Sequence, residues 1–330
     1  MRNRFFALFL AVFALSLAVA AHAGEKKYTI ATVGKVDGVA WFDRMREGAD
    51  KYGADTGHTT FMQSPAQADA AQQVQIIEGL IAQKVDAMCV VPFSPEALEP
   101  VLKRAMDAGI IVIVHESSNQ KNAHLILEAF ENRAYGAEMM RILAEKMGGE
   151  GEFANFVGSL TSKSHMEWMD GAEDLVAKEY PNIKLVSRRN EEYDDQNRAY
   201  ERTKELLANF PNLKGILGSA STTAPGAALA VEERGLEGKV FVVGTALPSA
   251  TRNFIESGAC SAIAFWDPAM AAYAMNEIAV RMLNGEKITD GMDIEVDGYN
   301  KLLQDKNDPK LFFGAAWVFV DKSNVDEYNF

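Results

Sequence analysis

The sequence predicts an α/β protein built from two doubly wound parallel sheets, one per domain. Three observations carry this. Short β-branched or apolar runs recur down the chain, and several are continuously apolar, as strands covered on both faces are. Between them lie segments of helical length with apolar residues three and four positions apart. The strand–helix alternation runs once to about residue 127 and again to about residue 247, which gives too many strands for one open parallel sheet.

In chain order, 28–33 reads as the first strand and 41–56 as a helix opening after a glycine-containing turn. The segment 67–83 carries Val74, Ile77, Leu80 and Ile81 along one helical face. Strands at 86–91, 110–114 and 125–130 complete the first set. The helix over 95–108 has Pro95 near its first turn, where a missing N–H costs nothing. The helix over 132–147 stops at Gly148-Gly149. The second set has strands at 153–157, 183–187, 215–219, 240–245 and 261–266. Its helices are 164–180, which stops before Pro181, then 196–210, 224–234 and 268–284. A last strand is expected at 317–320. Strands and helices of these lengths imply βαβ units with right-handed crossovers. No Pro/Gly/Ser linker separates the halves, so more than one crossover should tie them. The expected division is 24–128 plus 263–286 for the first lobe and 129–262 plus 287–330 for the second.

The first 23 residues fix the compartment. Arg2 and Arg4 open an apolar run to about Ala20, and Ala21-His22-Ala23 supplies the small residues of a cleavage site, so a secretory signal cleaved before Gly24 is expected. The run is shorter than a spanning helix needs, and no cysteine marks a lipid attachment there. The chain of 330 residues has a formal charge of −13, and loss of the leader removes two more positive charges. Such an acidic chain does not suit nucleic acid or anionic lipid and suits a soluble monomer. Cys89 and Cys260 lie in apolar runs and are expected to be free, buried thiols. Five scattered histidines match no zinc spacing, so neither metal nor cofactor is expected.

Enzyme signatures are scarce. There is no G-x-G-x-x-G after a strand, no phosphate-binding G-x-x-x-x-G-K-[ST] and no G-x-S-x-G elbow. The carboxylates Glu191, Glu192, Asp194 and Asp195 around Tyr193 read as a polar loop. The informative residues instead follow the carboxyl ends of expected strands, where open α/β sheets bind ligands. The stretch 34–42 offers Lys35 as a donor, with Trp41 and Phe42 as flat faces for the C–H faces of a sugar ring. Glu116 ends a buried run and needs a partner or a ligand. The stretch 158–168 supplies Ser164, His165 and Met166, with Trp168 a further candidate. Ser219 and Ser221 stand in a hydroxyl-rich loop, as ligand donors or helix caps. Trp266 and Asp267 end a strand before Pro268, Asp267 as a ligand carboxylate or as a cap. Aromatic plates with charged and hydroxyl groups, and no nucleophile–base pair, describe recognition of a polyhydroxylated small molecule.

The chain resembles the type I periplasmic sugar-binding proteins of ABC importers, closest to the branch of autoinducer-2-binding and rhamnose-binding proteins. The motifs are GKVDGVAWF (34–42), VVPFSPEALEPVLKRAMDAGIIVIVHES (90–117), TTAPGAALAVEERG (222–235), FWDP (265–268) and VFVDKSNVDEYNF (318–330). The resemblance implies two Rossmann-like lobes joined by a three-strand hinge, a periplasmic location, and delivery of ligand to an inner-membrane permease. It places Lys35 on the lysine that autoinducer-2 binders use, Trp41 and Phe42 on the aromatic pair of sugar binders, Glu116 on a usual aspartate, and Tyr193 near a second-lobe aromatic. Where the autoinducer-2 pattern has aspartate and glutamine this chain has Ser164 and His165, and Ser219-Ala220-Ser221 replaces its proline-aspartate-alanine. Those departures remove a carboxylate and favour a monosaccharide or sugar alcohol. The expected function is therefore non-enzymatic capture of such a ligand for import. The alternative is a signal-binding protein for an autoinducer-2-like ligand or chemoreceptor input.

Overall fold

The computed structural model describes residues 26–330; the expected leader and its cleavage point lie outside the described residues. These residues form two α/β lobes, with sheets of seven and six strands. In the first lobe the order is β1 (Thr29–Val33), α1 (Ala40–Thr56), β2 (Thr59–Gln63), α2 (Ala70–Gln83), β3 (Ala87–Val90), α3 (Pro95–Asp107), β4 (Ile111–His115) and β5 (Leu125–Glu128). The second lobe runs α4 (Asn132–Met147), β6 (Gly151–Val157), α5 (Lys163–Glu179), β7 (Ile183–Glu191), α6 (Gln196–Asn209), β8 (Leu213–Gly218), α7 (Thr223–Glu233), β9 (Phe241–Thr245), α8 (Pro248–Ser257) and β10 (Ala262–Phe265). Helix α9 (Pro268–Leu283) follows, and then the short strands β11 (Leu303–Gln304), β12 (Leu311–Phe313) and β13 (Val318–Val320).

The strand orders are β11-β12-β5-β4-β3-β1-β2 and β13-β10-β9-β8-β6-β7. The first five strands of each lobe are parallel and follow one pattern: the second strand lies outside the first, and the third lies on its other side. That places a topological switch point at the carboxyl ends of β1 and β3 in one lobe and of β6 and β8 in the other. Central strands such as β3 and β5 are buried along their whole length, as strands covered on both faces must be.

Some segments lie elsewhere than the sequence suggests. Strand β10 pairs in parallel with β9, so the expected return segment splits: its strand stays in the second sheet and α9 packs on α1, β3 and β4 of the first lobe. The tail splits too, because β12 joins β5 of the first sheet while only β13 joins the second, antiparallel to β10. Strands β2, β11 and β12 and helix α8 are additions to the expected elements. The strand TTFMQ is an edge strand whose residues are mostly only partly covered, so it has no continuous apolar run.

The chain thus passes between lobes three times, at 129–131, 266–267 and 314–317. Two passes are hydrogen-bonded to each other: Gly314 N–H donates to the Glu128 carbonyl at 2.9 Å and Ala316 N–H to the Ala129 carbonyl at 3.1 Å. One buried apolar cluster runs from Met45 and Tyr52 of α1 through Phe130 and Tyr135 to Phe156 and Val243 of the second lobe. Cys89 and Cys260 are buried and free. No helix among the described residues is long and apolar enough to cross a membrane.

Candidate functional site: a cavity between the lobes

Lys35 leaves the end of β1 almost fully buried, 1% exposed, and its ammonium lies 2.6 Å from Glu116 Oε2. Burial opposes the charge on Lys35, but the carboxylates of Glu116, Asp194 and Glu128 together hold its pKa above the ordinary value. Glu116 follows β4 in the left-handed region, φ 58°, a strained conformation for a side chain of this size. That turn brings the carboxylate to Lys35, 81 positions away in sequence.

The aromatic wall forms at the strand–helix junctions. Trp41 and Phe42 occupy the first turn of α1, both buried. The Trp41 ring meets Trp266 edge-on at 4.6 Å and 72°, and Trp266 meets Trp168 at 5.6 Å and 78°. Trp266 is fixed by chemistry as well as packing: its indole N–H donates to His115 Nε2 at 3.2 Å. His115 Nδ1 in turn lies 2.5 Å from the Leu127 carbonyl and must donate to it. Both ring nitrogens are therefore committed in the neutral form, and burial holds the His115 pKa down.

The second lobe supplies the opposite side. His165 Nδ1 accepts the Gly158 N–H at 3.1 Å, which leaves Nε2–H as its remaining donor. Burial first, and the Lys35 charge second, push the His165 pKa well below its ordinary value, so this donor is neutral. Ser219 Oγ donates to the Phe156 carbonyl at 2.9 Å, leaving its lone pairs as acceptors. Thr245 Oγ1 sits 3.0 Å from Tyr135 OH. Asp194 stands beside Tyr193 in the loop after β7, both left-handed at φ 52° and 57°. Burial pushes the Asp194 pKa up, Lys35 pulls it down and Glu116 pushes it up again, and the net direction is upward.

These groups line one narrow cavity between the lobes. Lys35, Trp41, Phe42 and Glu116 come from the first lobe, Trp266 from the second crossover, and His165, Ser219 and Ser221 from the second lobe. Eight of the twelve residues singled out in the sequence therefore converge. Asp267 does not: it caps α9 through the Ala269 N–H and holds Arg44 with both oxygens at 3.0 and 2.7 Å, so it braces the crossover. Ser164 is buried in the first turn of α5 but does not line the cavity, and Met166 packs outside it with its sulfur 3.8 Å from Arg189. Tyr193 is 41% exposed and lines the open crevice outside the cavity, with Arg198 over its ring at 5.0 Å.

Trp168, the further candidate of the 158–168 stretch, lines the cavity too, and Asp194 and Thr245 complete it. Asp194 corrects two expectations. The loop after β7 contributes a carboxylate to the cavity lining, so the second lobe supplies a charged group there. The signal is obscured because β7 runs on to Glu191, four residues past the strand end expected at Ser187, so Asp194 does not read as a strand-end residue. Thr245 ends the apolar run of β9 and is accessible to the strand-end rule. No cluster of three or more His, Cys, Asp or Glu among the described residues could hold a metal ion.

Two lobes joined by three crossovers around a polar, aromatic-walled cavity define a two-lobed solute-binding protein. The chain matches the periplasmic binding protein domain over residues 30–287 and belongs to that family, whose members bind their solutes and are not enzymes. The D-allose-binding periplasmic protein of Escherichia coli K12 is 30% identical over 239 residues, covering 69% of this chain and 76% of that protein. An ABC transporter solute-binding protein from Clostridium phytofermentas with bound L-rhamnose superposes with a TM-score of 0.84 at 22% identity, covering 92% of this chain and 98% of that one. LsrB from Clostridium saccharobutylicum in complex with AI-2 gives 0.85 at 20% identity, covering 92% of this chain and 100% of that one. These two structural neighbours share the fold, and they fall in the branch to which the sequence motifs point.

Proposed function

We propose that this protein captures a neutral monosaccharide or sugar alcohol between its lobes in the periplasm and delivers it, unaltered, to the permease of an ABC importer. The observation that carries the reading is the convergence of Lys35 and Glu116 from one lobe with Asp194 and His165 from the other, in a cavity walled by Trp41, Trp168 and Trp266. Indole faces suit the C–H faces of a sugar ring. An ammonium donates to hydroxyl oxygens, and a carboxylate accepts from neighbouring hydroxyls. Asp194 has no hydrogen-bond partner for its side chain among the described residues, so both oxygens are available as acceptors. Two carboxylates beside one ammonium and a neutral imidazole disfavour an anionic ligand.

A ligand held by both lobes selects the closed arrangement, because only there does it make all its contacts. Export is supported by the basic-apolar leader and by the family, and delivery to an importer by the likeness to an ABC transporter solute-binding protein. The test is thermal unfolding of the purified protein against D-allose, D-ribose, D-xylose, D-arabinose, L-rhamnose and xylitol, with mass spectrometry of the recovered ligand. A true ligand at 100 times its Kd stabilises the fold by about 2.7 kcal/mol, a clear rise in Tm. No shift across a broad sugar and polyol panel, or recovery of a chemically changed ligand, overturns the reading.

A further inference from the structure

We infer that Glu167, which lies outside the ligand cavity, is a positioning residue that latches the two lobes by accepting a hydrogen bond from Ser118 across the cleft and is itself oriented by the cavity wall. The inference rests on the proposed capture of ligand between the lobes. Ser118 belongs to the loop after β4 in the first lobe, and Glu167 to α5 in the second. The Ser118 hydroxyl lies 3.0 Å from Glu167 Oε1 and 2.9 Å from Oε2, so one proton is shared between both oxygens. The other direct bridge nearby is longer, from Thr161 Oγ1 to the Phe93 carbonyl at 3.5 Å.

The connection to the cavity is continuous. Trp168, a cavity wall, donates its indole N–H to Asn132 Oδ1 at 2.7 Å. The same Asn132 donates through Nδ2 to Glu167 Oε2 at 2.8 Å. Asn132 is the first residue of α4, directly after the first crossover. Lys163, one turn earlier on α5, lies 2.9 Å from Glu167 Oε1. The carboxylate thus has three donors, two fixed within its own lobe and one supplied by the other lobe. A ring stacked on Trp168 restrains its indole, and that restraint passes through Asn132 to the group that meets Ser118. A charge-assisted hydrogen bond in a half-buried site is strong enough to bias the equilibrium between open and closed lobes.

Small-angle X-ray scattering of the full mature chain with no sugar added tests this directly. Ser118→Ala and Glu167→Ala should each shift the population toward the open, larger-radius form, lowering the closure constant about 10-fold. Ser118→Thr, which keeps the hydroxyl, should scatter like the parent. The double variant should open no further than either single one, because both remove the same bond. Unchanged Tm in Ser118→Ala would separate the latch from a general packing role. Scattering of Ser118→Ala and Glu167→Ala identical to the parent overturns the latch. Because the readout needs no ligand, failure of every sugar to bind would count against the proposed function alone.

Discussion

Lys35 and Glu116 form a buried ion pair at 2.6 Å, and each is costly to leave alone. Removing one partner of such a pair leaves an uncompensated charge in the interior, a loss of about 3–5 kcal/mol. Lys35→Met is therefore expected to destabilise the protein by that order in urea unfolding, and Lys35→Met with Glu116→Gln by clearly less. A second buried carboxyl has a pH signature. Glu128 ends β5, has one oxygen without a partner, and is pushed well above its ordinary pKa by burial, then by Glu167 and Glu116. Above the unfolded value of 4.5 the fold binds this proton more tightly than the unfolded chain does, so stability falls as pH rises from there to the raised folded pKa. Glu128→Gln removes that loss. Its stability advantage over the parent, read by urea unfolding at a series of pH values, should grow above about pH 4.5, by up to about 1.4 kcal/mol for each pH unit. Residue by residue, strand-end side chains with an evident chemical purpose are legible in the sequence: Lys35, Trp41, Phe42, Glu116 and Trp266. Asp267 is ambiguous there, because a carboxylate before Pro268 suits a helix cap as well as a ligand, and Arg44, 223 positions away, decides it.

Helices α4 and α5 set the wall that carries Trp168 and Asn132. Their backbones touch through reciprocal glycines: a methyl at Gly136 would collide with the Trp168 carbonyl, and one at Gly171 with the Arg133 carbonyl. Gly136→Ala is therefore expected to force the helices apart, with a cost of about 1–3 kcal/mol in thermal or chemical unfolding and weaker ligand binding through the displaced Trp168. An intact Tm and unchanged affinity would contradict this packing account. At this scale the elements are legible in the sequence where the pattern is continuous. The runs IIVIV and VFVVGT are β4 and β9 because both their faces are covered. They are hard to read where coverage is partial. Strand β2 alternates without a strong apolar face, and β7 keeps pairing with β6 through polar residues as far as Glu191. Backbone pairing to an existing strand, invisible in composition, extends both.

For the molecule as a whole, the cavity exists only where the two switch points face each other. Two repeats of one strand order, three crossovers and a core continuous through the hinge bring Lys35 of one lobe toward Asp194 of the other. The alternation of strands and helices announces two lobes. It does not announce which lobe each late segment joins, because β10, β12 and β13 are short and their partners are set by sheet-edge availability rather than by their own residues. The central claim is that one hydroxylated small molecule is gripped by both lobes at once. A crystal structure of the complex with whichever panel sugar most raises the Tm tests it most directly. The account predicts the ring enclosed against Trp41, Trp168 or Trp266, with hydroxyls within hydrogen-bond distance of Lys35, Glu116 and Asp194 together; a ligand bound to one lobe only, or outside this cavity, would contradict it.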